Sequence, residues 1–284
     1  MNKPAFSFGV IADVQYAKQV SKHPETRPTP ISIDKLKTAI DDLNTENLEF
    51  LVHLGDLIDR DSSNFKAALD VFSKSKAKVK YVLGNHDFCD ADYNYGTFEE
   101  TLSAYDMTND TRYYYFDVNN YRFIVLDTNE LGIIEHPKGS LEWEKGSSFL
   151  KDLQDSGAVN AQAYNGGLEA EQINWLEKAV DQAESKSLNC IIFAHHGLYP
   201  KSRLNMLNDD EVLDKIKDRQ SIKAFINGHD HEGSYGEING MHCWTAEAML
   251  DYEDKTAYST VDVYDHKLVV RGRGRTKSKT FNLR

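Results

Sequence analysis

Short apolar runs alternate with amphipathic stretches along most of this chain, and five of the runs stop at a carboxylate, amide or imidazole. The runs Phe6–Ala12, Phe50–Leu54, Val79–Leu83, Phe123–Leu126, Cys190–Ala194 and Ile222–Ile226 are brief and rich in β-branched and aromatic residues. That predicts buried strands rather than helix fragments. The five ends read Asp13-Val14-Gln15, Gly55-Asp56-Leu57-Ile58-Asp59, Gly84-Asn85-His86-Asp87, His195-His196 and Gly228-His229-Asp230-His231. Open α/β sheets form their sites in the crevice at the carboxyl ends of strands. The pattern therefore constrains the chain to an α/β fold that could gather these polar residues in one crevice.

Between the runs, Ile33, Leu36, Ile40 and Leu43 recur at helical spacing, with Ser32 expected as N-cap. Phe65, Ala68, Leu69 and Phe72 do the same, as do Ile173, Leu176 and Val180. Met241–Ala246, Tyr258–Tyr264 and Lys267–Arg271 read as consecutive strands of a closing β-meander, the last two joined by a turn at Asp265-His266. The segment from Gly132 to Gly167 is polar and Gly-rich with little periodicity. It is expected to be a loop-rich, functional insertion in a single domain spanning residues 1–284. No internal repeat is visible.

Composition narrows the function. Hydrophobic residues make up 40% and charged residues 27% of the 284, as in globular chains. No apolar run approaches the ~20 residues of a membrane-spanning helix, and Met1-Asn2-Lys3-Pro4 leads into a strand without a signal-peptide core. Lys and Arg number 33 against 45 Asp and Glu, giving a net charge of −12. That field repels a phosphate backbone, so nucleic acid is not an expected partner. A small anionic substrate remains compatible, because a metal reverses the field locally. The three cysteines, Cys89, Cys190 and Cys243, form no CxxC pair, which fits a reducing cytoplasm.

The strand ends offer carboxylate, amide and imidazole donors and no thiolate, a set suited to Mn²⁺, Fe or Zn²⁺. Two metals about 3.5–4 Å apart can clamp a phosphate and activate a water between them. A carboxylate shared by both would hold them that close. Glycines before Asp56, Asn85 and His229 let the backbone turn sharply beneath the ions. Alone, an Asp-x-Gln or a Gly-Asp is usually a polar turn. Gly-Asn-His-Asp and Gly-His-x-His are much rarer, and the joint order of all five carries the signal.

That order resembles the calcineurin-like metallophosphoesterases, whose pattern is Asp-x-His, Gly-Asp-x-x-Asp, Gly-Asn-His-Asp/Glu, a strand-end His and Gly-His-x-His. Gln15 stands where most members have His. An amide oxygen is a weaker donor than imidazole and favours a harder metal such as Mn²⁺. The departure gives a narrower resemblance, to the manganese-dependent ADP-ribose/CDP-alcohol diphosphatases, which also use Asp-x-Gln. Supporting residues are Gly9-Val10-Ile11-Ala12-Asp13-Val14-Gln15-Tyr16, Gly166-Gly167-Leu168 leading to Gln172-Ile173-Asn174-Trp175-Leu176, and Gly228-His229-Asp230-His231 with Gly233 and Tyr235. The C-terminal Gly272-Arg273-Gly274-Arg275 adds to them.

The resemblance implies a sandwich of two mixed β-sheets flanked by helices, with a dimetal site at strand carboxyl ends. It implies two divalent ions, Mn²⁺ foremost with Fe or Zn²⁺ as alternatives. Asp13, Gln15 and His231 would hold one, Asn85, His195 and His229 the other, and Asp56 would bridge. His86 would stabilise the transition state or protonate the leaving group, and a water between the ions would attack phosphorus. The implied reaction cleaves the diphosphate of ADP-ribose or a CDP-alcohol to a nucleoside monophosphate and a phosphate ester. A phosphodiesterase acting on cyclic nucleotides or glycerophosphodiesters is the alternative. A scaffold without catalysis is disfavoured, because all seven ligand positions and His86 are present.

Neighbouring residues carry humbler expectations. Asp59 should support its turn, and Asp87 should orient a ligand or His86. His196, pointing away from its ligand neighbour, should be structural or substrate-facing. His53 should lie in the core or behind a ligand, and His23, His136, His242 and His266 should be ordinary surface or packing residues. Tyr93, Tyr95 and Phe98 follow His86 and offer rings for a nucleobase, although packing explains any one of them. Lys18–Pro30 is Pro-rich and lacks the Arg/Tyr-rich stretch expected of the diphosphatases. The basic run Arg271–Lys279 reads as a solvated terminal strand.

Overall fold

The six residues of β1 (Phe6–Ile11) are all buried, as a strand covered on both faces must be. In the computed structural model, which describes residues 3–88, 101–107 and 112–283, β1 is flanked by β2 (Phe50–His53) on one side and β10 (Ala257–Tyr264) on the other. The first sheet runs β12-β11-β10-β1-β2-β3, with β3 at Lys78–Tyr81, β11 at Lys267–Gly274 and β12 at Lys279–Asn282. Its β1–β2–β3 half is parallel and its β1–β10–β11–β12 half antiparallel. The second sheet runs β4-β5-β6-β7-β9-β8. These strands are β4 Tyr114–Val118, β5 Tyr121–Val125, β6 Asn189–Ala194, β7 Ile222–Asn227, β8 Ser234–Ile238 and β9 Met241–Thr245. It too is mixed, with β5, β6, β7 and β9 parallel and the edge strands antiparallel.

Between the sheets lies an aromatic core. Phe8 stacks on Phe50 with ring centroids 4.9 Å apart, and Phe123 stacks on Phe193 at 5.7 Å. Phe8 meets Phe123 edge-on at 5.5 Å, which joins the two layers. Helices α1 (Ser32–Leu43) and α2 (Phe65–Phe72) cover the outer face of the first sheet through Leu36, Ile40 and Phe72. Helices α4 (Ala170–Ser185) and α5 (Asp209–Ile216) cover the second through Leu176, Val180 and Val212. The expected sandwich of two mixed sheets with flanking helices is the observed fold. All six apolar runs are strands, and the three helical patterns are helices.

Two local expectations fail, and one helix stands where none was expected. Met241–Ala246 does not belong to the closing meander: β9 pairs with β7 and β8 in the second sheet. The meander is β10–β11–β12 instead, because a strand whose residues are all buried is better accommodated inside a sheet than at its edge. Within the segment from Gly132 to Gly167, 15 residues form a helix and the rest is turn or loop. This helix is α3 (Leu141–Asp155), capped by the Ser140 side chain accepting from the Trp143 amide. Gly146 and Leu150 of that helix are buried, and Phe149 and Leu153 pack half-buried beside Leu150, so its apolar stripe is short. Finally, Ser32 does not cap α1. Its hydroxyl donates to the Thr29 carbonyl, and the chain enters the helix through a 3-10 turn at Thr29–Ile31.

Cys190 and Cys243 are free and buried, and Cys89 lies outside the described residues. Among the described residues, no helix is long and apolar enough to cross a membrane.

Candidate metal centre

Asp13 and Gln15 follow β1, Asp56 follows β2, and Asn85 opens a 3-10 turn (Asn85–Asp87) beyond β3. His195 follows β6, while His229 and His231 follow β7. Parallel strands place these ends side by side. Asp13, Gln15, Asp56 and His229 take positive φ values of 50°, 42°, 57° and 68°, a backbone strain that clusters where side chains must be aimed. Glycine is obligatory between two of these turns: a Cβ on Gly84 would lie 2.2 Å from the Asp56 amide nitrogen and from its Oδ1.

The seven side chains meet in one place. His195 Nε2 lies 3.1 Å from Asn85 Oδ1, 3.3 Å from Asp56 Oδ1 and 3.2 Å from His229 Nδ1. Gln15 Nε2 lies 2.9 Å from Asp56 Oδ2 and 3.1 Å from His231 Nε2, which is 3.7 Å from Asp13 Oδ1. An amide turned by half a rotation presents Oε1 at the same spot. Asp56, His195 and His229 alone already offer three ligand atoms within 4.8 Å of one another.

Hydrogen bonds on the far side of each imidazole fix which nitrogen faces inward. His195 Nδ1 donates to the Leu54 carbonyl, His229 Nε2 to Asn165 Oδ1 and His231 Nδ1 to Asp251 Oδ1. The opposite nitrogens turn their lone pairs toward Asp13 and Asp56. Lone pairs converging on carboxylates repel unless a proton or cation stands between them. Electrostatics agree. Burial pushes Asp13 up to about 6, against the pull of His195 and His231. Burial also opposes ionisation of Asp56, but His195 and His86 hold it well below the ordinary carboxylate range. His195 rises to about 9: burial lowers it, and the neighbouring Asp56 charge outweighs that. The donor set therefore fits divalent cations.

The neighbours are placed as follows. Asp87 takes the Gly84 amide at 3.0 Å, the Asp56 amide at 3.1 Å and the Leu57 amide at 2.8 Å, tying one ligand turn to the next. Asp59 Oδ1 lies 2.7 Å from His86 Nδ1, so it holds an imidazole beyond supporting its own turn. His196 bonds Thr128 Oγ1 and the Gly166 amide, and its ring packs behind the cluster, 4.3 Å from the His229 ring and 5.1 Å from that of His195. His53 is buried with neither nitrogen bonded. His23 lines a cleft, and Tyr93, Tyr95 and Phe98 lie outside the described residues. The basic tail is not simply solvated: Arg271 pairs with Glu46 and Asp262, and Arg273 with Glu46 and Asp42.

Two clefts open on the cluster. One, of about 460 Å³, is lined by Arg27, Arg60, Tyr164, Arg203 and Tyr252 beside the ligand residues. The other, of about 670 Å³, is lined by Ser21, Lys22, His23 and Ser62, and shares Gln15, Arg27, Arg60 and His86 with the first. Sequence reasoning missed Asn165 and Asp251, which back two imidazoles, and the arginines. Asn165 adjoins the matched Gly166-Gly167-Leu168 and was within reach. The others carry no local signature.

The model of the calcineurin-like phosphoesterase family matches residues 6–233. The chain belongs to that family. This phosphoesterase is 30% identical to the manganese-dependent ADP-ribose/CDP-alcohol diphosphatase of Arabidopsis thaliana, over 98% of this chain and 97% of that protein. It is 30% identical to the Oryza sativa protein of the same name, over 95% of this chain and 92% of that one. The phosphoesterase also shares its fold with a crystal structure of a dimetal phosphatase from Danio rerio. The TM-score is 0.85 at 27% identity, covering 99% of this chain and 100% of that one.

Proposed function

We propose that this phosphoesterase is a manganese-dependent diphosphatase that cleaves the diphosphate of ADP-ribose or a CDP-alcohol. The convergence of three inward-facing imidazole lone pairs on Asp13 and Asp56 carries the hydrolytic part of this reading. The two diphosphatase relatives at 30% identity support the substrate. Asp13, Gln15 and His231 would hold one ion, Asn85, His195 and His229 the other, and Asp56 would contact both. Two bound divalent ions would supply Lewis-acid polarisation of the phosphoryl oxygens and an activated water.

The chain's own groups do the rest. Arg27 and Arg60 border both clefts and bind phosphoryl oxygens. His86 Nδ1 is held by Asp59, leaving Nε2 to deliver a proton to the departing phosphate ester. Tyr164 and Tyr252 in the smaller cleft suit the nucleoside half, and the hydroxyl-bearing larger cleft suits the other half. Lys18–Pro30, which departs from the diphosphatase pattern, supplies much of that larger cleft. The reading takes residues 1–284 as one domain, with no nucleic-acid partner and a cytoplasmic location. The acidic balance and unpaired cysteines support the last two.

Mn²⁺-dependent hydrolysis of ADP-ribose tests it, with products resolved. AMP plus ribose 5-phosphate is the expected result. Turnover of cyclic nucleotides without turnover of ADP-ribose or a CDP-alcohol would replace the diphosphatase with a phosphodiesterase.

A further inference from the structure

Asp251 and Arg275 belong to none of the five strand-end motifs, yet both close on His231. Asp251 Oδ1 accepts from His231 Nδ1 at 2.8 Å, and its Oδ2 lies 3.3 Å from Arg275 Nη1. Arg275 Nη2 donates to the His231 carbonyl at 2.9 Å, and Nη1 donates to the Ala248 carbonyl at 3.2 Å. A single, largely covered guanidinium thus grips the backbone of His231 and the carboxylate that orients its ring. Among the described residues, its remaining ion pair goes to Glu232 and its flat face to Tyr252.

The Asp251 loop is fixed from both sides. Its Met249 and Leu250 amides donate to the Ala12 and Asp13 carbonyls at 2.9 and 3.0 Å. Its carbonyls turn outward, and four in succession, Met249 to Tyr252, accept from the Lys35 ammonium on α1. Loop, lysine and arginine together press against the Asp13–His231 half of the centre.

We propose that Arg275 is a positioning residue that sets the affinity of one metal position only, the one built from Asp13, Gln15 and His231. The position built from Asn85, His195 and His229 is backed instead by Leu54 and Asn165 and does not depend on it. The inference rests on the metal assignment proposed above. Arginine suits the task because its planar fork serves two acceptors at once. Lysine reaches one.

Mn²⁺ titration of the full chain without substrate, by calorimetry and by the EPR signal of free Mn²⁺, tests it. The wild type is expected to bind two ions. Arg275→Ala should raise one dissociation constant by about 10–100-fold, the usual effect of losing a group behind a ligand, with the other unchanged. Asp251→Asn should do the same, and Arg275→Lys should fall between. Arg271→Ala removes ion pairs from the same strand, to Glu46 and Asp262; it should lower Tm and leave both constants alone. If Arg275→Ala does not fold, Arg275→Lys carries the test. Equal weakening of both positions, or none, overturns the positioning role. A wild type that binds no Mn²⁺ overturns the metal reading itself.

Discussion

His86 Nδ1 stands 2.7 Å from Asp59 Oδ1, so the imidazole beside Asn85 is aimed by a carboxylate from the preceding strand end. Burial opposes the Asp59 charge, yet its hydrogen bond to His86 keeps its pKa below the ordinary value. His86→Ala should lower kcat for ADP-ribose by about 10²–10⁴-fold. Asp59→Asn should lower kcat less, with little change in KM, and should shift the alkaline limb of the pH–rate profile, where a proton donor is lost. An unaltered pH profile in Asp59→Asn would show that the pair has no part in proton transfer.

Gln15 sits between Asp56 and His231, where an imidazole would be the stronger donor. Gln15→His should raise the preference for Zn²⁺ over Mn²⁺ on the order of tenfold, or about 1.4 kcal/mol. Competition between the two ions, read by elemental analysis of the dialysed protein, measures it. An unchanged ratio would mean that Gln15 does not face a metal.

Asp87 is the common acceptor for the amides of Gly84, Asp56 and Leu57. Asp87→Ala leaves buried donors unpaired, at about 1–3 kcal/mol each. A loss of about 2 kcal/mol lowers Tm by roughly 4–8 °C in a chain of this size class. Calorimetry of the metal-free protein should show at least that drop. A wild-type Tm would mean that other acceptors replace the carboxylate.

His53 is fully buried with unbonded nitrogens, and burial pushes it down to about 3. The unfolded chain takes up a proton below about 6.5 that the folded chain refuses. Stability is therefore lost as pH falls from about 6.5 toward 3, at up to about 1.4 kcal/mol per unit. His53→Leu removes that slope. Denaturant titrations of both proteins at pH 7 and pH 5 should show the variant gaining on the wild type at the lower pH. A constant difference would mean that His53 is protonated in the fold.

The sequence displayed the candidate ligands because each closes an apolar run, so the motif and the strand end signal each other. Asn85 and His229 could be found that way, and the structure brings them within reach of His195. Asp251 and Arg275 could not. They act on a residue 20 and 44 positions away, from a loop and a tail whose composition reads as solvent-facing. The α3 helix escaped for another reason: its apolar residues Phe149, Leu150 and Leu153 are confined to its second half, too short a stripe to stand out. β4 and β8 alternate half-buried and exposed residues at sheet edges, which leaves only a faint signature.

The position of β1 between β2 and β10 has a temporal consequence. Gly9 pairs with Thr260 and Leu51, so the strand leading to Asp13 has neighbours from opposite ends of the sequence. A chain emerging N-terminus first holds β1 against β2 early and carries an open edge until residues 257–264 arrive. Closure is a late, long-range event of the kind that slows folding. Arg275 arrives later still. The side chains that orient His231 therefore arrive after every candidate ligand, and that half of the centre is the last to be fixed.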